Sequence, residues 1–254
     1  MDKGIYTAAA SIRSDRLRQL NQTHEMSNVS SVGFKKAFQI SDQTFRVDGE
    51  NALSSRFFKT SVSMGSVDLT PGPRIVTQNP LDVFIEGEGV LGVFNDNDQL
   101  AFTRRGDLRL DGNGVLVNGG GRPISSDAGG DIQLDLALLH RISKEGVIYA
   151  TNPEEEVAED VEVARILLRD ASNVRLEKTE DGLFKVEGTQ EPGDFDDGGQ
   201  EVLITPYGLE GSSVKSYDVL TRMIEIERAF EIKINIIKEL SDMSQKSTSL
   251  MQIT

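Results

Sequence analysis

Several features of this 254-residue chain carry residue types that could do chemistry. Gly87-Glu88-Gly89-Val90-Leu91-Gly92 has the G-x-G-x-x-G spacing of a dinucleotide-binding loop. That chemistry needs a helix to begin at the glycines, because the pyrophosphate rests on free first-turn N–H groups. Here the apolar run 90–94 and the polar 95–99 predict another strand and a hairpin turn, so no nucleotide site is expected. Asn95-Asp96-Asn97-Asp98 offers carboxylates but lacks the Gly at position six and the Glu at position twelve of a calcium loop. A solvated turn is expected there, with weak calcium binding as the alternative. His24 and His140 are the only histidines, in unrelated segments with no recognisable partner, so no triad or metal cluster is legible. With no cysteine, a thiol nucleophile, a disulfide framework and a cysteine-ligated metal are all excluded. A glycosidase could use any two of the 41 acidic groups, so spacing has no power for that reaction. No catalytic, cofactor or metal residue is expected, and the chain reads as a non-enzyme.

Charge separates the chain into parts. Residues 1–60 carry nine basic and six acidic groups, residues 61–207 twelve and twenty-eight, and residues 208–254 six and seven. The balance is +3, −16 and −1, which sums to −14, so the excess acid lies in the middle and two near-neutral ends can approach copies of themselves without strong repulsion. This balance excludes nonspecific nucleic-acid binding, which depends on clustered Lys and Arg. No apolar run is long enough to cross a membrane, and no basic-then-apolar leader is present, so neither membrane insertion nor a cleaved signal peptide is expected.

The elements follow the same division. From Ile5 to Asn28 there is neither Gly nor Pro, and Ile5, Ala8, Ala9, Ile12, Leu17 and Leu20 fall at helix-compatible intervals, ending near Gly33. Residues 35–80 are polar and contain Pro71-Gly72-Pro73, which reads as a linker or extended arm. From Leu81 the period becomes strand-like. Short segments at 81–85, 90–94, 100–103, 107–110, 115–118, 132–136, 146–150, 161–168 and 183–187 are separated by Gly, Asn and Asp, predicting an antiparallel β domain. After Gly208, with Ser212 or Ser213 as candidate N-cap, the forty residues from Val214 contain no Gly or Pro, about 60 Å of helix. Met223, Phe230, Ile237, Ser244 and Met251 lie seven apart with Ile226 and Leu240 between them, a heptad stripe interrupted by Lys233 and serines. Ile232, Ile234 and Ile236 add apolar surface on further faces, and such a helix needs several neighbours.

The resulting fold class is α+β with a mainly β centre. N- and C-terminal helices form a helical hairpin or coiled-coil-like domain, into which an antiparallel β domain is inserted. The boundaries are 1–34 for the first helix, 35–80 for the arm, 81–207 for the β domain and 208–254 for the long helix. Apolar surface left over on the second helix implies a polymer subunit. A monomer whose last helix folds onto its own sheet stands as the alternative.

Motifs at both ends and in the middle resemble the bacterial flagellar rod and hook axial proteins. Met1-Asp2 with Ile5-Tyr6-Thr7-Ala8 is similar to the opening of one rod member, and Met26-Ser27-Asn28-Val29 with Gly33-Phe34-Lys35 resembles the rod signature. His24, Glu25 and Ser31 depart from that signature. Asn79-Pro80-Leu81-Asp82 with Gly87 and Gly89, Phe102-Thr103-Arg104-Arg105-Gly106-Asp107, and Asp181-Gly182-Leu183-Phe184 match the family's middle. Leu209-Glu210-Gly211-Ser212-Ser213-Val214, then Met223-Ile224 and Arg228-Ala229-Phe230-Glu231, match its C-terminal helix, with Ser213 in place of Asn.

The resemblance implies a structural subunit of the basal-body rod, the drive shaft across the periplasm, and favours a proximal-rod member over a distal-rod or other axial protein. It implies export by the flagellar type III apparatus without a cleaved signal. The implied partners are proximal and distal rod proteins and copies of this chain. The expected assembly interface comprises Ile5, Ile12, Leu20, Asn28, Gly33, Phe34, Leu209, Val214, Met223, Ile226, Phe230, Ile234, Ile237 and Leu240. A secreted ligand-binding or hydrolytic β-domain protein is the alternative of a different class.

Overall fold

A computed structural model describes residues 2–37, 41–47, 56–62, 65–154 and 159–251. The chain is α+β with a β-rich centre, and it divides into two compact units. One comprises Met1–Asn28, Ile40–Ser63 and Val214–Thr254; the other comprises Val29–Gln39 and Met64–Ser213.

The first unit holds α1 (Asp2–Ser27), the strands β1 (Ser41–Val47) and β2 (Arg56–Val62), and α2 (Ser216–Met251). Asn28 closes α1: its Nδ2 donates to the His24 carbonyl at 2.8 Å and its N–H to that of Glu25 at 3.0 Å, using carbonyls that a helix end leaves without partners. β1 and β2 form an antiparallel hairpin with Phe45 opposite Phe58, in the stretch where a linker or arm is expected. Its polar residues conceal it because the two strands satisfy each other's backbone groups, which requires no alternating apolar pattern. α2 begins later than its serines suggest. Its first turn bonds to the Lys215 carbonyl from the N–H groups of Asp218 and Val219, and Asp218 suits the positive end of the helix dipole. Ser213 is not the cap, because its hydroxyl oxygen accepts the Lys36 N–H at 3.0 Å.

In the second unit the strands are β3 (Arg74–Val76), β4 (Val83–Ile85), β5 (Gly89–Phe94), β6 (Leu100–Thr103), β7 (Leu108–Leu110), β8 (Leu116–Asn118), β9 (Leu139–Ile142), β10 (Val147–Thr151), β11 (Val161–Arg165), β12 (Leu168–Asp170), β13 (Leu176–Lys178), β14 (Phe184–Val186), β15 (Ile204–Pro206) and β16 (Gly208–Glu210). A sheet in the order β12-β5-β6-β14-β13 lies with a smaller β11-β10-β9 sheet and the pairs β4-β15, β3-β16 and β7-β8. All named pairs are antiparallel.

β5 and β6 are buried on both faces, and the two-residue period of a strand sends their side chains into two cores. Leu91, Val93 and Ala101 join Ile85, Leu116, Ile124 and Ile148 on one side. Val90 and Phe102 join Leu167, Leu176 and Phe184 on the other. The expected strand at 132–136 does not form. Ile132 and Leu134 are buried alternately, which mimics a strand, but each enters only single bonds: Leu116 N–H to the Ile132 carbonyl and Leu134 N–H to that of Gly114. The expected strand at 161–168 breaks into β11 and β12 where Ile166 bridges to Ser126.

Candidate functional site

Lys35, Arg104 and Glu210 come from distant parts of the sequence and meet in the interior of the second unit, each at most 1% exposed. Glu210 is placed by β16, Arg104 follows β6, and Lys35 follows the turn at Gly33. The Lys35 ammonium donates to Glu210 Oε1 at 2.5 Å and to the carbonyls of Thr70 at 2.6 Å and Leu69 at 3.3 Å, which uses its three donors. Arg104 donates from Nε to Glu210 Oε2 at 2.6 Å, from Nη1 to the carbonyls of Gly87 and Gly89, and from Nη2 to that of Ile85 at 2.7 Å. Glu210 Oε1 also accepts the Gly72 N–H at 2.5 Å. Buried charges persist when they are paired and their donors find acceptors; Glu210 pairs with both cations, and backbone carbonyls take the other donors of Lys35 and three of those of Arg104.

The glycines of these segments have a shared purpose. Gly33 has a φ of +65°, and a β-carbon on it would collide with the Arg104 carbonyl; one on Gly72 would collide with that of Gly211. Gly87 and Gly89 present carbonyls to Arg104, while Gly92 lets the Leu167 side chain approach. The nucleotide-like spacing is therefore an arginine clamp on a strand turn.

Backbone bonds stitch the neighbouring segments together. Gly33 N–H donates to the Glu210 carbonyl at 2.7 Å and Ser213 N–H to that of Phe34 at 3.0 Å. Phe34 is half-buried with the Lys178 ammonium 3.8 Å from its ring centre, a cation–π contact. Leu209 is half-buried in β16 opposite Ile75.

Burial first, and the Arg104 charge second, pull the Lys35 pKa below its ordinary 10.5, against the opposing pull of Glu210. A lysine held below its unfolded value leaves the native state with fewer bound protons than the unfolded chain in the window up to 10.5. Its contribution to stability therefore rises with pH across that window. Wild type should gain stability relative to Lys35→Met as pH approaches 10.5, in urea titrations at several pH values; parallel pH profiles for the two proteins would refute this.

In the first unit, α1 and α2 touch through charged groups. Asp15 accepts a hydrogen bond from Lys233, and Glu25 lies 3.9 Å from Arg222. Ser14, Asp15, Gln22 and Glu25 are buried, whereas Leu17 and Leu20, expected on the apolar stripe, are 43% and 58% exposed. The spacing of Asp15, Arg18, Gln22 and Glu25 alternates three and four, so among the described side chains this part of α1 covers a heptad stripe of polar residues. On α2, Val219 is buried and Met223, Ile226, Ile234, Ile237 and Leu240 are half-buried. Phe230 is 42% exposed, as are Leu220 and Ile224 to similar extents. Ile12 and Asn28 are half-buried and Val214 is buried; the side chain of Ile5 lies outside the described residues.

The structure thus gathers Gly33, Phe34 and Leu209 around the buried charges and leaves the helix positions in the other unit. Lys35, Arg104 and Glu210 lie within the family-like motifs but are not among the interface residues expected from the sequence. The available signal was a charged residue close to glycine in three separate motifs. The remaining chemical candidates resolve simply. Asn95 Oδ1 accepts the N–H groups of Asn97 and Gln99, both at 2.9 Å, which shapes the acidic turn. Among the described residues no group of three or more His, Cys, Asp or Glu could hold a metal ion. His24 is exposed, and His140 is buried on β9, where desolvation lowers its pKa.

Comparison with known proteins places these segments. The family model "Flagellar hook protein FlgE/F/G D1 domain" matches residues 84–150, and "Flagellar basal body rod FlgEFG protein C-terminal" matches 208–250. The chain is 28% identical to the flagellar basal-body rod protein FlgF of Salmonella typhimurium and 26% identical to that of Escherichia coli, covering 100% of each chain in both cases. It is 24% identical to the flagellar basal-body rod protein FlgG of Bacillus subtilis, over 98% of this chain and 99% of that protein. The chain is thus similar to flagellar basal-body rod proteins over its whole length. Arg104 and its glycine clamp lie in the first of the two regions matched by family models, and Glu210 lies in the second. The buried ion cluster is therefore where the two regions join. No helix among the described residues is long and apolar enough to cross a membrane.

Proposed function

We propose that this chain is a structural subunit of the bacterial flagellar basal-body rod, of the FlgF type, which polymerises through its terminal helices into the shaft that carries torque across the periplasm. Similarity to rod proteins over the whole chain is the observation that carries this reading. α1 and α2 form an antiparallel helical hairpin in this account. Asp15 meets Lys233, and Glu25, about 15 Å further along α1, meets Arg222 on the preceding part of α2. Polar residues on the covered face fix the register of such a pair while adding little cohesion. The cohesive surface is the outer one, where Leu17, Leu20, Leu220, Ile224, Phe230 and Ile236 are exposed. Near-neutral ends let these surfaces meet the same helices of neighbouring subunits, with apolar burial of about 25 cal/mol per Å² as the driving term. The β body is the inserted domain, and its surplus of acid keeps it solvated.

The partners in this reading are copies of the chain and the adjoining rod proteins, and delivery is by the flagellar type III apparatus without a cleaved signal. The test is electron microscopy and gel analysis of basal bodies from a deletion strain, with and without the gene restored. Loss of rods and motility on deletion, and their return on restoration with the chain present in the purified rods, is expected. Normal rods in the deletion strain would defeat the proposal.

A further inference from the structure

The buried cluster holds two cations and one carboxylate, and this imbalance has a conformational consequence that goes beyond the rod reading and does not depend on it. Lys35 and Arg104 are both buried, and among the described residues Glu210 is the only carboxylate within hydrogen-bond distance of either, the charge of Asp68 adding a smaller, longer-range attraction for Lys35. The remaining partners of both cations are carbonyls at Leu69, Thr70, Ile85, Gly87 and Gly89. Carbonyl dipoles satisfy N–H donors but do not cancel a second charge.

We propose that Lys35 and Arg104 form a two-cation socket closed by Glu210, so that seating of residues 33–37 and docking of residues 208–213 on the β-rich unit are one coupled event. The backbone geometry links the two segments directly. Gly33 N–H bonds the Glu210 carbonyl, Ser213 N–H bonds the Phe34 carbonyl, and Lys36 N–H bonds the Ser213 hydroxyl. Without the Glu210 carboxylate, Lys35 cannot remain charged beside Arg104 at acceptable cost, and leaving its site withdraws the segment that carries Gly33 and Phe34. Coupling of this kind is reciprocal: loss of Lys35 or of the turn at Gly33 weakens the hold on residues 208–213. The segments so joined continue in sequence into α1 and α2. Glu210 is thus a positioning residue that orders residues 33–37 and 208–213 together.

The experiment uses the full-length chain and its variants Glu210→Gln, Lys35→Met and the double variant. Urea unfolding and amide hydrogen exchange are measured on each. Glu210→Gln should lose exchange protection at residues 33–37 as well as at 208–213. Removing Lys35 from the Glu210→Gln background should relieve the like-charge conflict, leaving the double variant more stable than Glu210→Gln by about tenfold in the folding constant. This comparison holds even where Glu210→Gln alone is largely unfolded. Unchanged protection at 33–37 in a folded Glu210→Gln protein would overturn the proposal. A double variant no more stable than Glu210→Gln would also overturn it.

Discussion

Replacing Arg104 by lysine is expected to lower the stability of the β-rich unit by about 3–5 kcal/mol, although the charge is kept. The guanidinium is fully buried, and its fork reaches in three directions: to Glu210, to the carbonyls of Gly87 and Gly89, and to that of Ile85. An ammonium is a single point on a flexible stem and cannot serve carbonyls fixed on β4, β5 and the turn between them while also meeting Glu210. Each carbonyl left without a donor in the interior costs about 1–3 kcal/mol, so two or three account for the full loss. Arg104→Met leaves Lys35 and Glu210 as a neutral pair but orphans the same carbonyls. The two variants should therefore be destabilised to comparable extents. Urea unfolding followed by circular dichroism gives both values. A loss below about 1 kcal/mol for Arg104→Lys would show that the fork is dispensable, because that is the ordinary effect of a point change.

The strands of the centre were readable where burial on one or both faces left a local pattern. The segment 100–103 was placed at its observed bounds, because Leu100, Ala101 and Phe102 are apolar and flanking polar residues mark its ends. β15 and β16 escaped because three residues are too few to establish a period and each is defined by a distant partner, β4 and β3, whereas β13 pairs with the neighbouring β14 but has a single apolar residue, Leu176, to mark it. The long helix was legible from the absence of Gly and Pro, and Met223, Ile226, Ile237 and Leu240 of its stripe are half-buried, but the covered face of α1 was not legible. Periodicity assigns apolar residues to a buried stripe, whereas α1 buries Asp15, Gln22 and Glu25 and exposes Leu20. Nothing local signals this inversion, since it depends on charges across the pair at Lys233 and Arg222. The ion cluster was hidden for the same reason. Lys35 and Glu210 are 175 positions apart, and motif matching recorded their segments without the contact that joins them.

That inversion separates two kinds of position on α2 and leads to the second large effect. Leu220→Asp combined with Ile224→Asp should abolish incorporation into rods and motility while leaving the monomer's thermal unfolding unchanged. Both side chains are about half exposed, so in the free chain they give up little on becoming charged. In an assembly that covers them, each would forfeit about 1.5–3 kcal/mol of apolar burial and bring a desolvated carboxylate, and every 1.4 kcal/mol is tenfold in affinity. Ile237→Asp should also block incorporation, but by a different route. Ile237 is half-buried on the face that carries Val219 and Met223, so its replacement loosens the monomer's own helices and lowers their unfolding temperature. Complementation of a deletion strain on soft agar, gels of purified basal bodies and melting of the isolated variants distinguish the two. A motile strain carrying the Leu220/Ile224 double variant would place the assembly surface elsewhere. Equal losses of monomer stability in both variants would mean that α2 covers those outer residues within its own chain.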